Sequence, residues 1–259
     1  MGSFPRSYGY RFSWHNWITP GVKTLVIACA AVFLAQTLVH LFFGVEVEAA
    51  LNNGLGLVPR AVTHGLRLWQ PFTYLFLHGG IGHLLINMLF LWMFGCNLER
   101  AWGRRRFYFY YFLTGVGAGC INILVKTIAD PHGLGMSLRP TIGASGPIYG
   151  ILLASALMFP DRQIWLIPFP VTIPMRIYVL GAGAIEFFGT LGAGVDNVSH
   201  VSHLGGMLVG YLYLRRSSFF YGLRNQYSDW KRRRLRRKFE VYMRRHKDEP
   251  GSRPDRWVN

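Results

Sequence analysis

The sequence predicts an all-α membrane protein: a bundle of six transmembrane helices with a long interfacial first loop. Three observations predict it. Hydrophobic residues make up 51% of the 259 residues and charged ones only 15%. The apolar residues gather into stretches long enough to cross a hydrocarbon core of roughly 30 Å. The net charge of +16 is segregated, because more than half of the 28 Lys and Arg lie from Arg215 onward. A soluble domain mixes its charges over its surface, whereas this pattern belongs to a polytopic membrane protein with a basic tail.

The elements follow in order. Residues 1–20 form a polar, aromatic-rich arm that Pro20 ends, with no apolar run of the kind a cleavable signal peptide requires. The first span runs from about Val22 to Phe43. Residues 44–77 form a long amphipathic connection, with Trp69, Phe72, Tyr74 and Leu75 as interfacial anchors. The second span covers about His83 to Leu98 and is closed by a charge cluster that includes Glu99 and Arg100. The third, about Tyr108 to Val125, carries Gly115, Gly117 and Gly119, which let a partner helix approach closely. The fourth is about Ser145 to Met158. Three prolines in residues 163–176 forbid one straight helix and predict a tight interfacial turn. The fifth span is about Ile177 to Leu191, and the sixth runs from near Val198 to Arg215. The domains read as an arm (1–20), a six-helix core (21–215) and a basic tail (216–259). Cys29, Cys96 and Cys120 lie far apart in apolar runs, which predicts buried, inert thiols and no zinc site.

Basic residues set the orientation. Ten of those flanking the spans fall on the side of the termini and four on the other. Both termini are therefore expected in the cytoplasm, as an even number of spans requires. The chain reads as a multi-pass protein of a bacterial inner membrane.

Polar groups at membrane depth are costly and point to function. Four stand out: His83 and Asn87 in span two, Ser145 in span four and His203 in span six. With this orientation all four fall in the outer half of the membrane, Ser145 roughly 10 Å below the outer boundary. Ser145 heads its helix, where free backbone N–H groups can hold an oxyanion. His83 and Asn87 are four residues apart, hence on one helix face, and both can donate hydrogen bonds to the same oxyanion. Gly146 and Gly150 form a small-residue pair on span four, matched by Gly206 and Gly210 on span six. Two such faces allow the close approach that a Ser145–His203 hydrogen bond needs. His203 is then the general base, with Tyr149 one turn below Ser145 to stack on its ring. His200 is the weaker choice of base. Asp196 reads as a solvated loop aspartate, so a dyad is expected rather than a triad.

The stretches His83-Leu84-Leu85-Ile86-Asn87, Gly143-Ala144-Ser145-Gly146-Pro147-Ile148-Tyr149-Gly150 and His203-Leu204-Gly205-Gly206-Met207-Leu208-Val209-Gly210 resemble, in this order, the rhomboid intramembrane serine proteases. The resemblance covers residues 21–215 and implies a rhomboid-like six-helix bundle. It implies Ser145 as nucleophile and His203 as general base, with His83, Asn87 and the Ser145 N–H as the oxyanion site. Tyr149, Gly143, Gly146, Gly206 and Gly210 pack around them. It further implies hydrolysis of peptide bonds in or near transmembrane segments of other proteins, without metal or cofactor. One departure is Gln70 after Trp69, where family members often carry Trp-Arg. Outside the resemblance, the nearly all-basic run Lys231 to Lys238 reads as a site for anionic lipid in the bilayer, with no nucleic acid expected. Two other readings of the core stay open: a catalytically silent membrane chaperone or binding protein, and a small transporter. Only the hydrolase needs a nucleophilic Ser145.

Overall fold

The computed structural model describes residues 17–132, 135–165, 171–191 and 199–216. The chain forms two compact units, Met1–Leu212 and Tyr213–Asn259, and the residues of the candidate site lie in the first. Among the described residues, three helices of that unit are long and apolar enough to cross a membrane: Pro20–Leu55, Ile81–Trp102 and Arg104–Ala129. Their outward faces carry apolar side chains such as Ile27, Leu34, Leu85, Phe109 and Leu124, as lipid contact requires.

Helix α1 (Pro20–Leu55) is broken at Gly44, whose φ of 82° lies in the region that favours glycine. The break ends the first span where the sequence predicts and turns the remaining residues into the first part of the long connection. The connection continues through short helices α2 (Pro59–Thr63) and α3 (Gln70–Thr73) and a 3₁₀ turn, Tyr74–Phe76. Its aromatic residues divide into two groups. Trp69 and Phe72 are exposed, as interfacial anchors would be, but Tyr74 and Leu75 are fully buried in the bundle.

The second span is one helical run: α4 (Ile81–Phe90), a π turn (Leu91–Gly95) and α5 (Cys96–Trp102). Helix α6 (Arg104–Ala129) extends the predicted third span at both ends. Helix α7 (Ser145–Met158) matches its expected bounds. Its 14 residues give about 21 Å, shorter than the hydrocarbon core, so its first residue lies below a membrane boundary. Strands β1 (Gln163–Trp165) and β2 (Thr172–Pro174) pair antiparallel, Ile164 opposite Ile173. A small ribbon therefore replaces the expected tight turn, because prolines are tolerated at the ends of a two-stranded pair where no ladder hydrogen bond is lost. Helix α8 (Met175–Leu191) and helix α9 (residues 200–216) complete the bundle.

Two more expectations change. Glu99 is not part of an interfacial charge cluster but is 5% exposed. Its carboxylate accepts hydrogen bonds from the N–H groups of Gly21 (2.8 Å) and Val22 (2.9 Å) and from the Thr19 hydroxyl. It thus caps the N-terminus of α1 from another helix, satisfying donors that α1 cannot pair internally and placing a negative charge at the positive end of the helix dipole. Cys120 is exposed on α6, while Cys29 and Cys96 are buried.

Packing is closest where glycines face one another. A Cβ at Gly117 would sit 2.7 Å from Val209 Cγ2, and one at Gly150 would sit 2.8 Å from Thr114 Cβ. At Gly206 a Cβ would run into the backbone carbonyl of Gly146, and at Gly210 into the Tyr110 hydroxyl. Backbone cannot give way as a flexible side chain can, so α7 and α9 meet at a distance only glycine permits. Gly206→Ala is expected to lower the melting temperature in detergent by several degrees. Gly181→Ala, with open space around it, should leave the melting temperature unchanged. Equal melting curves for the two variants would refute this packing.

Candidate active site

The site is assembled at one end of α4, α7, α8 and α9. Ser145 is the first residue of α7 and half-buried, so its backbone N–H has no partner within the helix. The residue that leads into it, Gly143, has φ 129°. A Cβ there would lie 2.8 Å from His83 Cε1, 3.0 Å from His83 Nε2 and 3.7 Å from Ser145 Oγ. Gly143 therefore serves two ends. Its backbone conformation turns the chain into α7, and its lack of a side chain lets the His83 ring reach the space beside the Ser145 hydroxyl.

Ser145 Oγ lies 2.7 Å from His203 Nε2, a short hydrogen bond between residues 58 positions apart. The Tyr149 ring stacks on the His203 ring with centroids 4.3 Å apart and planes 10° apart. The stack fixes the plane of the imidazole, and the Gly146–Gly206 contact fixes its height. The start of α9 is held as well: Asn122 Nδ2 donates to Ser199 Oγ (2.7 Å) and Ser202 Oγ (2.9 Å).

Asn87 is buried, and its Nδ2 has no protein partner among the described residues. A buried orphan donor costs about 1–3 kcal/mol unless something occupies it, so it marks a place for an acceptor atom. His83, one turn earlier on the same helix, is exposed, and its Nδ1 faces the Gly79 N–H at 3.4 Å. That assignment leaves a proton on Nε2, the atom nearest Gly143 and Ser145.

A residue that the sequence reading passed over completes the cluster. Glu186 of α8 is 5% exposed. Its Oε1 accepts from the Tyr149 hydroxyl. Its Oε2 lies 2.6 Å from His200 Nδ1 and 2.8 Å from His203 Nδ1. The His200 contact is a hydrogen bond. The His203 contact is as close but lacks the alignment of a ring N–H bond, so it is a charge contact in this geometry. One signal was available: Glu186 is the only acidic residue in the fifth span, where an ionisable group is a functional candidate by default. Asp196, the aspartate weighed as a third member, lies outside the described residues.

Glu186, His200 and His203 also form a group whose ligand atoms lie within 4.8 Å of one another. A tetrahedral zinc with bonds of 2.0–2.1 Å spreads its donors to about 3.3 Å. The two nitrogen–oxygen separations are well below that and match a hydrogen bond to His200 and a charge contact to His203 instead.

The first long loop is bolted to this site. The Gly143 N–H donates to the Tyr74 carbonyl (2.9 Å), and Leu57 and Thr141 exchange both backbone hydrogen bonds at 2.9 Å. Gln70, where a Trp-Arg pair would carry arginine, is fully buried. Its Oε1 accepts from the Val58 N–H (3.0 Å), and its Nε2 donates to the Asn53 and Gly54 carbonyls (2.9 and 3.2 Å). The glutamine braces the loop together with Trp69, whose Nε1 donates to the Gly54 carbonyl (2.9 Å), and Arg67, which donates to the Asn53 carbonyl (3.2 Å).

Fold and site together define a multi-pass helical membrane protein with a hydrogen-bonded serine–histidine pair inside the bundle. Residues 65–217 match the Rhomboid domain. The chain is 29% identical over 179 residues to rhomboid protease GluP of Bacillus subtilis, covering 66% of this chain and 31% of that protein. It is 28% identical over 224 residues to the mitochondrial RHOMBOID-like protein 12 of Arabidopsis thaliana, covering 80% of this chain and 62% of that one. It is 31% identical over 138 residues to the mitochondrial rhomboid protein 1 of Saccharomyces cerevisiae, covering 53% and 38%. The chain thus spans about a third to three-fifths of the length of these curated relatives. It belongs to the rhomboid family, whose proteases act on transmembrane proteins within the bilayer.

His78 lies in the loop just before α4. Its backbone is held by Gln36, whose Oε1 accepts from the His78 N–H (3.1 Å) and whose Nε2 donates to the His78 carbonyl (3.3 Å). Burial pushes its imidazole from the usual 6.5 down to about 4, helped by the charge of His83 and opposed by the hydrogen bond to the Phe76 carbonyl. The unfolded chain therefore binds a proton here between pH 6.5 and 4 that the folded chain does not. Stability contributed by this group is present above pH 6.5 and is lost as pH falls toward 4. Melting temperature should fall over that window and fall less in His78→Asn. Parallel pH curves for the two proteins would contradict the assignment.

Proposed function

We propose that this chain is an active intramembrane serine endopeptidase that uses Ser145 as nucleophile and His203 as general base. The observation that carries the reading is the 2.7 Å Ser145 Oγ–His203 Nε2 hydrogen bond at the head of α7, in a member of a family that includes proteases. A substrate segment unwinds locally, because an intact helix hides its carbonyls in its own hydrogen bonds. Ser145 Oγ attacks the exposed carbonyl carbon as His203 Nε2 takes the hydroxyl proton. The oxyanion is held by the Ser145 N–H, His83 Nε2–H and Asn87 Nδ2–H, where one donor is worth about 10²–10³ in rate. The intermediate collapses, His203 hands its proton to the leaving amine, and an ester to Ser145 remains. Water then attacks the ester with His203 again as base, releasing the acid and restoring the hydroxyl. Exposed His83 and half-buried Ser145 give water an approach from that end of the bundle.

The substrates are transmembrane segments of other proteins, cut near the end of the span where the site lies. The excess of basic flanking residues supports placing both termini on the cytoplasmic side and the site toward the opposite face of the membrane, which we take to be a bacterial inner membrane. The basic tail holds anionic lipid.

The test is cleavage of a model transmembrane substrate co-reconstituted in vesicles. Wild type should cleave it, Ser145→Ala and His203→Ala should each reduce the rate to background, and Asn87→Ala should lower it about 10²-fold. Wild-type cleavage by Ser145→Ala would overturn the reading. Solute flux that needs His83 and His203 but not the Ser145 hydroxyl would replace it with a transporter.

A further inference from the structure

We infer that Glu186 is a positioning residue for His203, so that the reaction runs through a serine–histidine–glutamate relay rather than a dyad. The inference rests on the proposed hydrolase reading and deepens it. A carboxylate buried in an otherwise apolar helix of the bundle is a costly choice, since an ionised group there is worth having only with partners. Glu186 has three and little contact with solvent: the Tyr149 hydroxyl on Oε1, and His200 Nδ1 and His203 Nδ1 on Oε2. Two of these three side chains touch the reacting pair, since Tyr149 stacks on the His203 ring and His203 receives the Ser145 hydrogen bond.

The geometry selects a tautomer. A carboxylate oxygen 2.8 Å from Nδ1 favours a proton on that nitrogen and leaves the Nε2 lone pair facing the Ser145 hydroxyl. In the opposite tautomer, Nε2 would carry the proton and could not accept one from Ser145. When the serine proton moves to Nε2, an imidazolium forms beside an existing negative charge. A contact out of line for a neutral N–H bond in the resting protein still stabilises that cation, because attraction between charges depends on distance more than on alignment. Proton and charge balance throughout: the serine proton goes to Nε2 and then to the leaving amine, while Glu186 stays ionised.

His200 has a matching part. It shares Oε2 with His203, and its ring sits 6.5 Å from the His203 ring in an edge-on arrangement. A Cβ at Gly189 would come within 2.6 Å of its Cε1, so α8 is shaped to admit this ring. His200 holds the carboxylate in place from the far side, and among the described residues Glu186 is the group that reaches Nδ1 of His203.

The experiment measures the rate of Ser145 acylation by a fluorophosphonate probe, together with kcat and KM for a transmembrane substrate, in Glu186 variants. Glu186→Gln should lower kcat and the acylation rate by about 10²–10⁴-fold, with KM within threefold and an unchanged melting temperature. Glu186→Asp, which keeps the charge, should recover at least tenfold of that loss. If Glu186→Gln turns over within threefold of wild type, the inference is wrong. It is equally wrong if its loss tracks a fallen melting temperature that Glu186→Asp shares. Failure of wild type to be acylated at Ser145 would instead sink the hydrolase reading, and this inference with it.

Discussion

The arrangement depends on one backbone contact between two helices. Gly206 of α9 lies against the carbonyl of Gly146 in α7, with no room for a Cβ between them. The residue before that carbonyl is Ser145, and His203 stands three residues, nearly one turn, before Gly206 on the facing helix. A larger residue at either glycine would move the helices apart, and a 2.7 Å hydrogen bond cannot follow even an ångström of separation. The other features of the site adjust what this contact has already brought together. The Tyr149 stack orients the imidazole, and Asn122 pins the two serines that open α9.

The surroundings obey the rule that irregular backbone at membrane depth must find its hydrogen bonds inside the protein. The stretch before Ser145 is such a segment. It is paired through Thr141 and Gly143 to Leu57 and Tyr74 of the first long loop. Gln36 and Gln70 finish that loop's own backbone from span one and from within, and Tyr74 reaches through to the Gly115 carbonyl at 2.7 Å. The loop is therefore part of the site's scaffold as well as a cover for it. Glu99 does the same for α1, supplying acceptors where the helix begins.

Much of this was legible in the sequence, for identifiable reasons. Span positions are set by length and apolarity, and helix α7 falls on Ser145–Met158 as the serine and the Pro160 break predict. Ser145, His203 and Tyr149 stand out because polar residues are rare at membrane depth and because the glycine pairs announce a close helix contact. What escaped depends on tertiary context. Glu99 and Glu186 are both lone acids near or within apolar runs. The sequence presents one as an interfacial charge and offers no partner for the other, because only folding shows which donors a carboxylate meets. Tyr74 and Leu75 share the composition of the exposed Trp69 and Phe72, and the turn at Tyr74–Phe76 decides which pair faces the bundle. The ribbon of Gln163–Trp165 and Thr172–Pro174 depends on pairing between two three-residue segments, which no local pattern specifies.

The most direct measurement of the central claim is mass-spectrometric mapping of a fluorophosphonate adduct on the membrane-embedded protein. A hydroxyl activated by a facing histidine predicts one adduct, on Ser145, that forms in wild type and disappears in both His203→Ala and Gly206→Val. No adduct on Ser145, or one that forms as fast without His203, would contradict the account.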